Sequence, residues 1–375
     1  MSEWVAEVAA FRRRIRPRAV SPVERLLLRA GARFDRLMLR VWMRGDAASP
    51  DVDHALRDEM LRAHAFYRDP GFLTDPASFF REPPAPESVA ERTLTRLSDG
   101  GRCLDLAFAS DFTPVYPEAR ADSTPFGENR MAHARWWHHA RCGTPAVVCL
   151  HGYASGDPRI DRLAFGVRAL YESGLDVLLF TLPFHGRRKP RGVQKSGEGF
   201  FARNLARTNE VFAQTVFEVR ALMRYLAQIG GGPIGAFGMS LGAYVAALLA
   251  AVDPQLAFAI AMIPVTSLTD LIWGEPIHRF RRQEVEAHGI SLGFLRELWQ
   301  VHAPLLRPPL VPRERRFVVG ALGDRICPPA HAHALWHHWE RPEIHWYPGG
   351  HLAQFRRGQA LREVRNFLKA LGFTH

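Results

Sequence analysis

Short apolar runs alternate with longer amphipathic stretches from about residue 146 to the end of the chain. Runs at 146–150, 175–182, 233–237, 256–263, 316–322 and 343–347 have the length of buried strands. Between and after them, 158–171, 204–228, 243–251 and 352–371 carry helical periodicity. Pro183 stops the second run, and Gly230-Gly231-Gly232 ends the long helix. Strand–helix alternation of this kind predicts an α/β fold, with a mostly parallel central sheet and helices on both faces. Two further runs, near 103–108 and 131–137, predict an antiparallel edge ahead of the parallel part.

Two regions depart from the alternation. Residues 1–98 predict a helical N-terminal extension, with a Pro-rich linker at Pro83-Pro84-Ala85-Pro86, which leaves 99–375 as the main domain. Residues 266–309 form an insert rich in large apolar side chains: Leu271, Ile272, Trp273, Ile277, Phe280, Phe294, Leu295, Leu298 and Trp299. A lid over a site is expected there, because the insert leaves the C-terminal end of a strand; extra core packing is the alternative. Within the extension, Arg25, Arg29, Arg33, Arg36, Arg40 and Arg44 recur every three or four residues. They fall within about a 100° arc of a helix. Opposite them lie Leu27, Ala30, Phe34, Leu37, Met38, Val41 and Trp42. This pattern suits an anionic membrane surface met through residues 22–44. A helix that packs its apolar side on the domain gives the same pattern.

Composition narrows the classes. A chain of 375 residues with 47% apolar content can bury a large core. No apolar stretch approaches the roughly 18 to 20 residues needed to span a bilayer. The N-terminus carries Glu3 and Glu7, and its arginines follow the apolar residues, the reverse of the order in a secretory signal, so no signal peptide is expected. Cys103, Cys142, Cys149 and Cys327 show no paired spacing, so a reduced, cytoplasmic setting is expected, at most peripheral to a membrane. The formal charge is +11, yet only Lys189, Lys195 and Lys369 of the 49 basic residues are lysine. The excess is arginine and carries no nucleic-acid motif, so nucleic acid is not an expected partner. Oligomeric state has no signal in the sequence.

Candidate chemistry centres on Gly238-Met239-Ser240-Leu241-Gly242, between an apolar run and an Ala/Leu-rich helix. Strand, G-x-S-x-G, helix is the setting of a nucleophile elbow, which presents a serine hydroxyl beside a helix N-terminus. A serine nucleophile needs a base, and the base an orienting acid. Asp324 follows the run at 316–322 through Gly323, and His351 follows the run at 343–347 through Gly349-Gly350. Asp270, after the preceding strand, is the alternative acid. An oxyanion hole needs two backbone N–H donors. Leu241 supplies one; the other is expected from Tyr153, with Ala154 next, in the loop His151-Gly152-Tyr153-Ala154. His151 is expected to fix that loop. This chemistry needs no metal and no organic cofactor.

Three other patterns are weaker. Residues 230–235 match G-x-G-x-x-G but precede a strand, whereas a dinucleotide site follows one. His331, His333, His337 and His338 share a helix, but without further ligands they read as a solvated surface. Arg187, Arg188, Lys189 and Arg191 follow a strand end and could meet an acidic headgroup.

Taken together, the strand before His151-Gly152, the Ser240 elbow, the Gly323-Asp324 turn and the Gly350-His351 loop resemble the α/β-hydrolase superfamily over roughly residues 102–371. Residues 182–190, with Tyr347-Pro348-Gly349-Gly350-His351 and the helix at 355–367, resemble an abhydrolase branch that includes a cardiolipin lipase. The resemblance implies a serine hydrolase acting on an acyl or lipid ester. A peptidase or thioesterase on the same residues, or a non-catalytic binding protein of this fold, are the alternatives.

Overall fold

The computed structural model describes residues 21–43, 54–122, 127–193, 195–201, 205–274, 282–283 and 286–375. Its framework is one nine-stranded sheet. The strands are β1 (Ala90–Arg96), β2 (Arg102–Ala109), β3 (Met131–His138), β4 (Ala146–Leu150), β5 (Asp176–Thr181), β6 (Ile234–Met239), β7 (Ala259–Met262), β8 (Arg316–Ala321) and β9 (Glu343–Tyr347). Their spatial order is β1-β2-β3-β5-β4-β6-β7-β8-β9. The pairs β1–β2, β2–β3 and β3–β5 are antiparallel, and every later pair is parallel. The expected antiparallel edge is therefore present, with one strand more than expected.

The flanking helices include α1 (Pro22–Met43), α2 (His54–Tyr67), α3 (Pro158–Ala164), α4 (Val167–Glu172), α5 (Leu205–Gln228), α6 (Leu241–Val252), α7 (Leu268–Gly274), α8 (Leu292–Leu298), α9 (Pro329–His338) and α10 (Arg357–Ala370). Strands β4 to β8 are buried along their whole length, as parallel strands covered on both faces must be. Two buried clusters result, one on each face of the sheet. On one face α5 and α6 pack with Phe212, Leu222, Tyr244 and Leu248; on the other, α10 packs with Phe165, Val177, Phe317 and Phe367.

Several expected boundaries shift for local reasons. The helix expected at 158–171 is two helices, because Gly166 takes a left-handed φ of 63° between them. The helix expected from 352 begins at Arg357, since Arg356 is itself left-handed at φ 63°. Residues 352–356 thus remain loop, next to His351. The boundary expected at 98/99 falls in the turn between β1 and β2, so the sheet begins inside the segment read as extension.

The N-terminal helices are built into the domain. Glu210 of α5 is buried and accepts hydrogen bonds from Tyr67 Oη (2.5 Å), Val115 N (2.7 Å) and Tyr116 N (2.9 Å). In the insert, Leu295, Leu298 and Trp299 are buried, and Trp299 Nε1 donates to the Leu205 carbonyl at 2.9 Å. Phe294 stacks on His64 of α2 with ring centroids 4.1 Å apart. The described part of the insert is therefore anchored on α2 and α5; Ile277 and Phe280 lie outside the described residues. Helix α1 buries Gly31, Ala32 and Asp35, and leaves Val23, Leu26, Phe34 and Leu37 exposed beside Arg29, Arg33 and Arg36. The side chains of Arg40, Val41 and Trp42, together with Arg44 and the N-terminal residues 1–20, lie outside the described residues. Among those described, no helix is long and apolar enough to cross a membrane.

Candidate active site

Ser240 stands between β6 and α6 with φ 54° and ψ −114°. A non-glycine residue rarely occupies positive φ, and its strain here is held by the packing around the turn. A Cβ added at Gly242 would fall 1.8 Å from the Leu150 carbonyl oxygen, and one at Gly238 would fall 2.0 Å from the Gly242 carbonyl oxygen. The elbow therefore needs both glycines because backbone crosses backbone at contact distance. Ser240 N donates to the Met262 carbonyl of the neighbouring strand at 3.0 Å, which fixes the turn to the sheet.

Three side chains from three strand ends meet at this point. His351 Nε2 lies 2.9 Å from Ser240 Oγ, and His351 Nδ1 lies 2.7 Å from Asp324 Oδ2. The remaining oxygen of Asp324 accepts N–H bonds from Ile326 (2.9 Å) and Cys327 (2.7 Å). Asp324 is 1% exposed and His351 8%. Burial disfavours charge on His351, but the Asp324 carboxylate outweighs it and holds the imidazole pKa well above its ordinary value of 6.5. Cys327 Sγ is 3.9 Å from Ser240 Oγ, and burial pushes this thiol up, so it stays neutral beside the serine.

The alternative acid is elsewhere. Asp270 pairs with Arg296 Nη2 at 2.6 Å and bonds the Ser267 hydroxyl, so it does not reach His351. On the oxyanion side, Leu241 opens α6, where N–H groups have no partner within the helix. Gly152 lies against the serine: a Cβ added there would be 3.9 Å from Ser240 Oγ. Tyr153 follows it, half-exposed, with its ring edge-on to His185 at 5.8 Å. His151 pins this loop, as Nδ1 donates to the Gly152 carbonyl at 2.8 Å and Nε2 accepts from Leu182 N at 3.1 Å. Both nitrogens face backbone, and burial lowers its pKa, so it is a neutral strut.

Two arginines of the basic loop have partners within the fold. Arg188 is fully buried and grips Glu218 in two hydrogen bonds of 2.6 and 2.8 Å, while Arg187 pairs with Asp105 at 2.6 Å. That corrects the headgroup expectation for Arg188, while Arg187 keeps an exposed side chain. Of the candidate histidines, His331 bonds Thr266 and His338 bonds the Arg307 carbonyl at 2.8 Å.

The site also contains residues that the sequence reading did not single out. Cys327 is one; Asp35, whose carboxylate bonds the backbone of Arg325 and His351, is the other. The only available signal was that Asp35 is an acid among the arginines of α1, where Glu24 in the first turn is the other.

Known proteins agree with this architecture. A family model described as alpha/beta hydrolase domain containing 18 matches residues 107–271. The uncharacterized protein MT2702 of Mycobacterium tuberculosis (strain CDC 1551 / Oshkosh) is 31% identical over 343 residues, covering 90% of this chain and 80% of its own length. Rv2627c of the H37Rv strain is 30% identical with the same coverage. Among solved structures, acetyl xylan esterase 1 from a Thermoanaerobacterium species superposes with a TM-score of 0.54 at 17% identity, covering 78% of this chain and 96% of the other. The acetyl xylan esterase of Paenibacillus sp. R4 gives 0.54 at 16%, covering 85% and 96%. These two likenesses concern the fold. With the sheet order, the elbow and the family match in agreement, the chain belongs to the α/β-hydrolase superfamily.

Proposed function

We propose that the protein is a serine hydrolase that cleaves a carboxylic ester through an acyl-enzyme on Ser240. The observation that carries this reading is the continuous hydrogen-bonded chain from Ser240 Oγ through both nitrogens of His351 to Asp324. In the first step His351 Nε2 takes the Ser240 proton as Oγ attacks the ester carbonyl carbon. The N–H groups of Leu241 and Tyr153 receive the oxyanion. His351 then gives its proton to the departing alcohol. Water, activated by the same imidazole, releases the acid. Asp324 keeps the Nδ1–H tautomer and stabilises the imidazolium. An acyl or lipid ester is favoured because Tyr153, Leu352 and Phe355, all partly exposed, edge the two loops that carry the oxyanion donor and His351. A panel of p-nitrophenyl esters of graded acyl length, with thioester and amide analogues and Ser240→Ala as control, tests the class. Turnover of esters above the amides, lost in the control, is expected. Faster cleavage of an amide or thioester than of every ester would move the protein to the peptidase or thioesterase reading.

Helix α1 supports peripheral attachment to an anionic bilayer as part of the same function. Its exposed apolar stripe of Val23, Leu26, Phe34 and Leu37 adjoins Arg29, Arg33 and Arg36, so apolar insertion and attraction to lipid phosphate would act on one face.

A further inference from the structure

We propose that Asp35, on helix α1 of the N-terminal extension, is the positioning residue that holds the His351 and Asp324 loops in working register. The inference rests on the proposed roles of Ser240, His351 and Asp324. Asp35 is fully buried, and its carboxylate receives three backbone N–H groups. Oδ2 accepts from His351 N at 2.7 Å and from Arg325 N at 3.1 Å, and Oδ1 accepts from Leu352 N at 3.0 Å. One carboxylate therefore joins the residue after Asp324 to His351 itself.

Its position follows from where the sheet stops. Past the ends of β8 and β9, Leu322 N still bonds the Tyr347 carbonyl at 3.0 Å and Gly323 N the Gly349 carbonyl at 2.7 Å. Beyond those bonds, the backbone donors of Arg325, His351 and Leu352 turn to Asp35. The helix lies directly on the loop. A Cβ added at Gly31 would fall 2.6 Å from Gly350 N, and one at Gly350 would fall 2.8 Å from Asp35 Oδ2. Four residues separate Gly31 from Asp35, so both face the loop from one side of α1.

Charge-assisted bonds to a buried carboxylate are strong, and removing the acceptor leaves three N–H groups without it. A displacement of about 1 Å at a catalytic group costs on the order of 10²-fold in rate. Asp35→Ala should therefore lower kcat by about 10²-fold. KM should change by no more than about threefold, since ground-state binding is not altered. Asp35→Asn keeps the shape and one accepting oxygen, so its loss should be nearer tenfold, on the order of half that free energy. Gly31→Ala, a helix-favouring change in itself, should lower kcat by about tenfold by pushing the loop away.

The test measures kcat per active site in the full-length protein. Sites are counted by fluorophosphonate titration, so loss of folded protein does not register as loss of rate. In parallel, the low-field proton resonance of the His351 Nδ1–H in its bond to Asp324 is followed by NMR. This resonance should shift or broaden in Asp35→Asn and disappear in Asp35→Ala. Native kcat per labelled site in both Asp35→Asn and Gly31→Ala, with an unchanged resonance, would overturn the inference even if Asp35→Ala fails to fold. Should the native protein hydrolyse no ester while the resonance still responds to Asp35→Asn, the ester reading fails and the positioning role stands.

Discussion

His351 is under two opposed influences, and their balance sets the working pH. Burial favours the neutral ring, while Asp324 favours imidazolium and prevails. The proposed chemistry needs the neutral ring as base. Rate is therefore lost as pH falls through a raised pKa, and the acid limb of kcat/KM should lie above 6.5 with its plateau on the alkaline side. A pH–rate profile of the native protein measures this directly, and a limb below 6.5 would contradict it. Asp324→Asn removes the carboxylate that raises the ring; it should move the limb downward and lower kcat by roughly 10⁴-fold through loss of the Nδ1–H tautomer. Ser240, Asp324 and His351 were legible in the sequence because each sits one short turn past an apolar run. Asp35 was not: it precedes Arg325 by 290 residues, and only the packing of α1 on the strand ends brings them together.

Helix α1 shows what an element's periodicity can and cannot reveal. The arginine stripe and its apolar complement predicted an amphipathic helix, and a helix is present from Pro22 to Met43. The pattern alone could not separate a membrane face from a packing face, because both bury apolar side chains. In the fold the helix divides its circumference three ways: Gly31, Ala32 and Asp35 inward, arginines to solvent, and Val23, Leu26, Phe34 and Leu37 exposed between them. If that outer face meets anionic lipid, the full-length protein should co-sediment with phosphatidylglycerol vesicles more than with phosphatidylcholine vesicles. Binding should weaken with salt. Replacing Arg29, Arg33 and Arg36 by Ser should reduce it by about 10²-fold, at roughly 1 kcal/mol per basic residue near an anionic surface. Equal binding to both vesicle types, or no effect of the triple change, would contradict this reading. Strand β1 makes the complementary point: all seven of its residues are exposed, so no apolar alternation marked it, and only its pairing with β2 defines it.

At the scale of the whole molecule, alternating apolar runs were enough to predict a parallel sheet and to place reactive groups beyond its strand ends. The substrate is less legible, since fold and reactive residues do not fix the leaving group. What the fold adds is a division of labour. The sheet supplies the elbow and the two loops, α2 and the insert thicken the core, and α1 closes over the loops that bear His351 and Asp324. The most direct measurement is covalent labelling with a fluorophosphonate, followed by mass spectrometry of the modified peptide and by ester turnover. The expected result is one adduct on Ser240, with labelling abolished and turnover lowered by about 10⁴ to 10⁶-fold in a folded Ser240→Ala protein. An adduct on another residue, or a Ser240→Ala protein that retains native turnover, would contradict the assignment of Ser240 as the nucleophile.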